Sequence, residues 1–295
     1  MPELPEVETT RRDLSALCVG ASLTRVQLPG VRTVRRGLTS EKLEGRLVGL
    51  AVEGVERLGK YLIFRLKDQN ATGFDGRMDL VVHLGMSGRF LRSNEQRLAR
   101  HVAGSFRFEG SRLGVEESLW FYDPRTFGEI FLSQGRVDYG IPVELAHLGF
   151  DLVSDVRSCQ FRKDRLVSLF RSTSPIKARL LDQRYLAGLG NIYSDEVLFR
   201  TRIHPRRSAN SLELGERKQL VQTAATVLRE AIKHRGSSLA DTSYRDLNGD
   251  IGSYQRLHQA YGRSGEPCVR CGERMTKETI VGRSSTFCPL CQGRW

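Results

Sequence analysis

The chain has 295 residues, 39% of them hydrophobic, which is enough for two domains with separate cores. Its 46 Lys and Arg against 34 Asp and Glu give a net charge of +12 and a pI near 9.7. Such an excess of basic residues, most of which are arginine, is typical of proteins that bind polyanions. It does not distinguish DNA from RNA or from an anionic membrane. No run of 18 apolar residues and no N-terminal apolar segment are present, so we expect a soluble intracellular protein without a spanning helix.

Residues 1–135 predict a β-sandwich with one N-terminal helix. The helix spans residues 6–18, where Val7, Leu14, Leu17 and Cys18 share a face and Pro5 suits the first turn. Short apolar runs bounded by turn residues predict strands at 52–58, 61–66, 80–84, 106–108, 119–122 and 130–132. The helix should place residues 2–4 against the sheet rather than leave them as a frayed tail.

A polar stretch at 134–142 precedes a second half that is mainly helical. Helices are predicted at 175–186, at 192–200 and, with the clearest apolar stripe, at 214–235. The turn at 188–191 lacks the strand and the Gly-Lys-Ser/Thr of a nucleotide cradle, so we interpret it as a helix–helix connection with Asn191 as N-cap. Residues 237–254 are polar and glycine-rich, which predicts a long functional or mobile loop.

Four cysteines near the C-terminus predict a metal site. Cys268 and Cys271 form one CxxC, Cys288 and Cys291 form a second, and 16 residues separate them. Four thiolates complete a tetrahedral zinc site and leave no open position, so one structural Zn²⁺ per chain is favoured over disulfides, a redox CxxC or a metal hydrolase. Cys18 and Cys159 have no partner motif and are interpreted as buried thiols.

The segment between the two CxxC motifs predicts a β-hairpin. Residues 279–281 form the first strand, 282–285 the turn and 286–287 the returning strand, with Arg283 at the tip. An arginine there can reach a groove or a phosphate, although a solvated surface arginine fits the spacing equally well.

Several motifs in fixed order resemble the bacterial formamidopyrimidine-DNA glycosylase/endonuclease VIII family. They are PELPEVET at 2–9, GKYL at 59–62, HLGMSGR at 83–89, DPRTFG at 123–128, GLGNIYSDE at 188–196, IHP at 203–205 and the four-cysteine ribbon. The resemblance implies an α+β multidomain fold: a catalytic β-sandwich (1–135), a hinge (136–150), a helix–two-turn–helix domain (151–236), a lesion-capping loop and connection (237–261) and a zinc ribbon (262–295). Leu4 and Val7 favour the formamidopyrimidine branch.

The resemblance also implies a catalytic role for the N-terminus. Removal of Met1 leaves Pro2 with a secondary amine, and an α-amine with a pKa of roughly 7.7–8.0 is partly neutral at physiological pH. Attack on the sugar C1′ would expel the damaged base and give an iminium, after which β,δ-elimination would cut the strand. Glu3 is implied as the acid/base partner, and Glu6 as a secondary residue that positions the site or a water. A carboxylate favoured by the helix dipole is an equally physical explanation for Glu6.

Further residues match family positions that handle DNA. Lys60 and Arg283 are implied as catalytic phosphate contacts, and His101, Arg125, Lys177 and Asn191 as DNA-binding residues. Met86, Arg125 and Phe127 match residues that fill the gap left by a flipped nucleotide, whose extrusion costs a few kcal/mol. Without the motif, Met86 and Phe127 would be interpreted as core residues.

The predicted activity is therefore a bifunctional glycosylase and lyase of base excision repair. It would act as a cytoplasmic monomer on duplex DNA with an oxidised purine, such as 8-oxoguanine or a formamidopyrimidine, and would not bind a membrane. Two departures, Thr126 in place of a common basic residue and Ala240 in place of a lysine, leave lesion preference open. The alternatives are an endonuclease VIII-like enzyme for oxidised pyrimidines and a non-catalytic zinc-ribbon protein that binds nucleic acid.

Overall fold

A computed structural model describes residues 2–30, 32–71, 76–92, 100–112, 118–153, 163–239 and 244–293. The chain divides into two compact units. The first consists of Met1–Ala146 and Arg235–Ser253, and the second of His147–His234 and Tyr254–Trp295. Part of the segment predicted as a capping loop thus packs with the N-terminal unit. Cys159 and Ala240 lie outside the described residues.

The first unit begins with helix α1, Leu4–Cys18, which starts two residues earlier than predicted. The reason is a capping box, in which the Glu3 carboxylate accepts from the Glu6 N–H and the Glu6 carboxylate accepts from the Glu3 N–H. Helix α2 spans Ser40–Leu47, and the strands are β1 (Ser22–Gln27), β2 (Leu50–Leu58), β3 (Tyr61–Asp68), β4 (Arg77–His83), β5 (Arg89–Leu91), β6 (Val102–Glu109), β7 (Ser118–Tyr122), β8 (Glu129–Leu132), β9 (Arg136–Val137) and β10 (Ile141–Pro142).

Strands β1 to β8 form one antiparallel sheet in the order β5-β7-β6-β1-β2-β3-β4-β8. Although β3 and β5 are far apart in this order, the rings of Phe64 and Phe90 lie 6.3 Å apart between centroids. The sheet therefore folds back on itself, and its two arms are the layers of the predicted sandwich. Helix α1 buries Val7, Leu14 and Leu17 in the same core, which fixes the start of the chain to the sheet.

The second unit is mainly helical, as predicted. Its elements are β11 (Phe150–Asp151), α3 (Lys163–Leu169), α4 (Ile176–Leu181), β12 (Leu186–Ala187), α5 (Asn191–Arg200) and α6 (Leu214–Lys233). The helix predicted at 175–186 ends at Leu181, because the chain turns extended at Asp182 and then pairs as β12 with β11. No helix among the described residues is long and apolar enough to cross a membrane.

Two local predictions in this unit were wrong. Gly190, in an extended conformation, is the N-cap of α5, so Asn191 is its first residue and not its cap. In the ribbon, β13 (Thr276–Ile280) and β14 (Arg283–Phe287) are joined by the two-residue turn at 281–282. Both turn residues have positive φ, as a tight right-twisted hairpin requires. Arg283 is thus the first residue of β14, beside the tip rather than on it.

Candidate active site and nucleic-acid interface

The start of α1 gathers Pro2, Glu3 and Glu6 in a buried environment. Glu3 and Glu6 are each 1% exposed, and Pro2 is also buried. The Glu3 N–H donates to Glu6 Oε2 at 2.7 Å, so the residue that follows Pro2 is held at its backbone. The positive end of the helix stabilises both carboxylates. Pro2 and Glu3, predicted from the sequence as nucleophile and acid/base partner, are therefore both buried, and the Glu3 backbone is bound to Glu6.

The second oxygen of Glu6 binds a distant segment of the same unit. Oε1 accepts from the Ser237 N–H at 2.8 Å. Only glycine fits at Gly236, because a Cβ there would lie 2.6 Å from Glu6 Oε1 and the residue has φ +81°. Glu6 thus joins the first turn of α1 to the beginning of the 237–254 segment. This contact exceeds what a surface carboxylate at a helix N-terminus would make, and it supports a positioning role for Glu6.

Lys60 lies on the two-residue turn that joins β2 to β3. Arg57 links this turn to α1: its Nε donates to Glu8 Oε2 at 3.0 Å, and a terminal nitrogen donates to the Gly59 carbonyl at 2.9 Å. Burial raises the pKa of Glu8, but the guanidinium groups of Arg11, Arg57 and Arg12 outweigh it and lower that pKa to about 2. A fixed negative charge on α1 therefore holds the turn that carries Lys60.

His83 pairs with Tyr61 across β3 and β4, next to Lys60. Burial, and secondly the positive charge of Lys60, lower the pKa of His83 to about 4. Its Nδ1 accepts from the Gly85 N–H at 3.3 Å, as a neutral imidazole can. His83 therefore supports the turn before Met86 as an uncharged side chain.

Two loops at this end of the sheet carry the residues predicted to fill the gap in DNA. Met86 follows β4, while Arg125 and Phe127 precede β8. Asp123 joins the loops, since Oδ1 accepts from Ser87 Oγ at 2.8 Å and Oδ2 from the Gly128 N–H at 2.6 Å. Arg125 and Phe127 are exposed, the latter by 55%, and Met86 is half-buried. An exposed aromatic ring on a braced loop is atypical of a core residue.

The loops meet most closely at Gly85, where a Cβ would lie 2.4 Å from the carbonyl carbon of Phe127. His101 immediately precedes β6, and its carbonyl accepts from the Asp123 N–H at 3.0 Å. Its ring packs edge-on against Tyr122 at 5.6 Å. The structure thus brings Lys60, Met86, His101, Arg125 and Phe127 to one end of the sheet.

In the second unit, Asn191 and Arg283 lie close together. The Asn191 amide donates to Ser284 Oγ at 3.4 Å, and Arg283 precedes Ser284 in β14 and is exposed. Asn191 stands at the N-terminus of the ten-residue helix α5, where the positive end of the helix dipole favours an anion.

Lys177 has no exposed surface, unlike the other predicted DNA-binding residues. Its Nζ lies 2.5 Å from Asp195 Oδ1 and donates to the Ser284 carbonyl at 3.1 Å. Asp195 is also buried and accepts from Ser285 Oγ and the Thr286 N–H. The pair joins α4, α5 and β14.

The four cysteines of the ribbon fit one structural zinc ion. Their Sγ atoms all lie within 4.8 Å of one another, with 3.9 Å from Cys268 to Cys291 and 3.5 Å from Cys271 to Cys288. A tetrahedron with Zn–S bonds of about 2.3 Å has edges of about 3.8 Å. Backbone N–H groups of Arg270 and Cys291 point at two of the sulfurs, as in thiolate sites. The zinc prediction is confirmed.

Sequence reasoning missed the residues that brace these side chains: Glu8, Arg57, Ser87, Asp123 and Asp195. All but Arg57 lie inside the motifs quoted above, so the motifs themselves were the available signal. Cys18 is buried as predicted, and burial raises the pKa of its thiol to about 12.

A β-sandwich with a buried Pro-Glu start, a helical unit and a cysteine ribbon define the class of DNA glycosylases that use this three-part architecture. Family comparisons agree along the chain. Residues 1–130 match the formamidopyrimidine-DNA glycosylase N-terminal domain, 148–243 the H2TH domain of the same proteins, and 265–293 the zinc finger found in FPG and IleRS.

Full-length relatives give the same result. A formamidopyrimidine-DNA glycosylase of Thermus thermophilus is 39% identical over 99% of both chains, and that of Mycobacterium sp. KMS is 39% identical over 100% of this chain and 98% of its own. The crystal structure of the Thermus thermophilus MutM (FPG) protein superposes with a TM-score of 0.81 at 38% identity, with full coverage of both chains. A Lactococcus lactis Fpg complex with DNA containing an abasic site gives 0.79 at 32%, covering 99% of this chain and 100% of that one. The chain belongs to the formamidopyrimidine-DNA glycosylase family of base excision repair.

Removal of zinc should unfold the ribbon. The buried apolar cluster there is small and includes two of the cysteines, Cys268 and Cys288. Loss of the ion would also leave four thiolates without a counter-charge. We expect elemental analysis to give one zinc per chain, and Cys288→Ser to lower this content and the amide-exchange protection of β13 and β14. Cys18→Ala, which removes a buried thiol outside the cluster, should keep both. Zinc-free protein with a fully protected hairpin would contradict a structural role for the ion.

The lowered pKa of His83 should make the first unit sensitive to acid. Since the folded pKa of about 4 lies below the ordinary 6.5, the unfolded state binds the extra proton between these values. The free energy of unfolding should therefore fall as the pH drops from 6.5 to 4, and NMR should find a neutral imidazole at pH 5.5. Lys60→Met should raise the pKa of His83, whereas Lys67→Met, at the far end of β3, should not. A His83 that titrates near 6.5 would refute this.

Proposed function

We propose that the protein is a bifunctional DNA glycosylase and lyase that excises oxidised purines through its N-terminal proline. The observation that carries the proposal is the buried Pro2–Glu3 pair, whose backbone is held by Glu6. A proline at this point supplies a secondary amine once Met1 is removed. The iminium that a secondary amine forms with the C1′ carbon of the sugar has no N–H, so it stays cationic and cannot be neutralised by loss of a proton from nitrogen.

The chemistry follows in balanced steps. The neutral Pro2 nitrogen bonds to C1′, the N-glycosidic bond breaks with its electron pair leaving on the base, and the proton that the nitrogen loses passes to the departing base. Protonation of O4′ by Glu3 opens the sugar ring and gives the cationic iminium. Loss of the C2′ proton then expels the 3′ phosphate, and loss of the C4′ proton expels the 5′ phosphate. Water finally hydrolyses the iminium and frees Pro2.

DNA contacts would be divided between the two units. In the first unit, Lys60 would bind a phosphate beside the lesion, while Met86, Arg125 and Phe127 fill the space of the extruded nucleotide. In the second, Asn191 and Arg283 would bind a phosphate through their paired donors. The half-buried imidazole of His101 would add a contact beside the Arg125 loop.

Oxidised purines are the favoured substrates. The relatives carry the name formamidopyrimidine-DNA glycosylase, and one Lactococcus lactis Fpg structure is a complex with DNA that contains Fapy-dG. Leu4 and Val7, both fully buried in α1, support the same branch. Another Lactococcus lactis Fpg complex contains an oxidised pyrimidine, which keeps oxidised pyrimidines as the second candidate.

We further propose that the enzyme acts as a monomer on duplex DNA in the bacterial cytoplasm.

Pro2→Gly should impair strand nicking by at least about 100-fold, because a primary amine of different basicity and geometry replaces the ring nitrogen. Borohydride should trap the wild-type protein covalently on lesion duplex. Pro5→Ala serves as the matched control, since that proline has no free amine, and it should nick and trap normally. Affinity for an uncleavable abasic analogue should change little in either variant. Full nicking by Pro2→Gly, or by material that retains Met1, would rule out the mechanism, and failure of the wild type to trap would favour a non-catalytic binder.

A lesion panel tests the substrate class. Matched duplexes with 8-oxoguanine, formamidopyrimidine-guanine or an oxidised pyrimidine should differ in single-turnover excision, with the two purine lesions at least about tenfold faster. An undamaged duplex is the control. Faster excision of the pyrimidine lesion would support the endonuclease VIII-like alternative while leaving the proline chemistry intact.

A further inference from the structure

Asp195 is the centre of a buried polar cluster in the second unit. Its Oδ1 lies 2.5 Å from Lys177 Nζ and accepts from Ser285 Oγ at 2.7 Å, while Oδ2 accepts from the Thr286 N–H at 3.0 Å. Asp195 is 2% exposed and Lys177 0%. One carboxylate on α5 therefore binds α4 on one side and two successive residues of β14 on the other.

These bonds fix the two residues to which phosphate binding is assigned. Asn191 lies one helical turn before Asp195 on α5, and Arg283 lies two residues before Ser285 on β14. Ser284 lies between the two sets of contacts, since its carbonyl accepts from Lys177 and its hydroxyl from Asn191. The position of β14 along α5 thus sets the separation of Arg283 from Asn191.

Stability alone is a weak explanation for such a pair. Withdrawing two charges from water largely cancels their attraction, and apolar residues of similar size often serve as well. What an ion pair adds is directionality, because a carboxylate with three donors permits one register of the strand against the helix, whereas apolar packing tolerates sliding. A requirement for register is expected where two side chains must meet the same ligand.

We propose that Asp195, with Lys177 as its counter-ion, is a positioning residue that holds β14 against α5 so that Arg283 and Asn191 bind one DNA phosphate together. This inference rests on the proposed function. Lys177 then acts on DNA through Asp195 and β14, which agrees with its complete burial. Neither residue touches the reacting sugar.

A double-mutant cycle on DNA binding tests the proposal. In the full-length zinc-loaded protein, Arg283→Ala should weaken binding to a tetrahydrofuran abasic duplex by about tenfold and reduce the salt slope by about one. Asp195→Asn should have a similar effect alone. In the Asp195→Asn background, Arg283→Ala should cost less than about twofold, because the arginine has already lost its fixed position.

A paired variant controls for misfolding, because Asp195→Asn alone leaves the buried Lys177 without its counter-ion. Lys177→Met combined with Asp195→Asn removes both charges, so the net charge and its contribution to the salt slope do not change. The matched control is Glu278→Gln on the other ribbon strand, β13. It breaks the 2.5 Å ion pair between Glu278 and Arg206. That variant should retain the full tenfold effect of Arg283→Ala. Zinc content and the amide-exchange protection of β13 should be normal in all variants, whereas the Thr286 amide of β14 should exchange faster where Asp195 is replaced.

The outcomes separate the two levels of inference. If Arg283→Ala weakens binding equally in the wild type, Asp195→Asn and paired backgrounds, the positioning role is overturned while the phosphate contact stands. A direct lysine–DNA contact predicts the same independence. If Arg283→Ala has no effect in the wild type, the phosphate assignment fails and the positioning role fails with it. If borohydride does not trap the wild-type protein on DNA, the catalytic proposal fails, independently of the result of the double-mutant cycle.

Discussion

The Glu6 carboxylate is the constraint on which the rest of the candidate active site depends. One oxygen accepts from the Glu3 N–H, and the other accepts from the Ser237 N–H. A chain terminus is normally its most mobile part, and a nucleophile placed there would sample many positions. Two hydrogen bonds to a single buried carboxylate instead fix the residue after Pro2 and the start of the 237–254 segment to one point. Reactive geometry requires such placement, since errors near 1 Å are costly in rate.

A buried carboxylate plays the same part beside three other groups of predicted site residues. Glu8 holds the Lys60 turn through Arg57, Asp123 joins the loops of Met86 and Phe127, and Asp195 binds the strand of Arg283. In each case the carboxylate is buried, and the residue that it supports lies on a turn or loop or at the end of an element. Charge-assisted hydrogen bonds suit this purpose because they are short and directional. The side chains proposed to contact DNA lie on turns, loops and element ends, and buried carboxylates bind those segments to the rest of the fold.

Much of this molecule could be predicted from the sequence, and the failures have physical causes. The spacing of apolar residues identified α6, because the side chains that face the core recur with the 3.6-residue period of a helix. Spacing alone identified the zinc cysteines, since two CxxC turns satisfy a tetrahedral ion. The α5 cap was misassigned because both glycine and asparagine are acceptable at an N-cap. The braces could not be deduced, since Glu6 and Ser237 are separated by 231 positions and no local rule links them.

The buried braces also bear on how the protein meets DNA. Glu3, Glu6, Asp123, Asp195 and Glu196 are each at most 2% exposed, and several accept from backbone N–H groups, which carry no net charge. Their charges are turned inward, whereas Arg125 and Arg283 are exposed. Among the described residues, nine acidic side chains are buried against four basic ones, so the exposed side chains have a larger basic excess than the net charge of +12 suggests. Long-range attraction to a polyanion acts on that surface and speeds encounter with any duplex. Diffuse attraction cannot distinguish a damaged base from its neighbours, so selectivity requires directional contacts, and the braced loops carry the side chains that we propose for them.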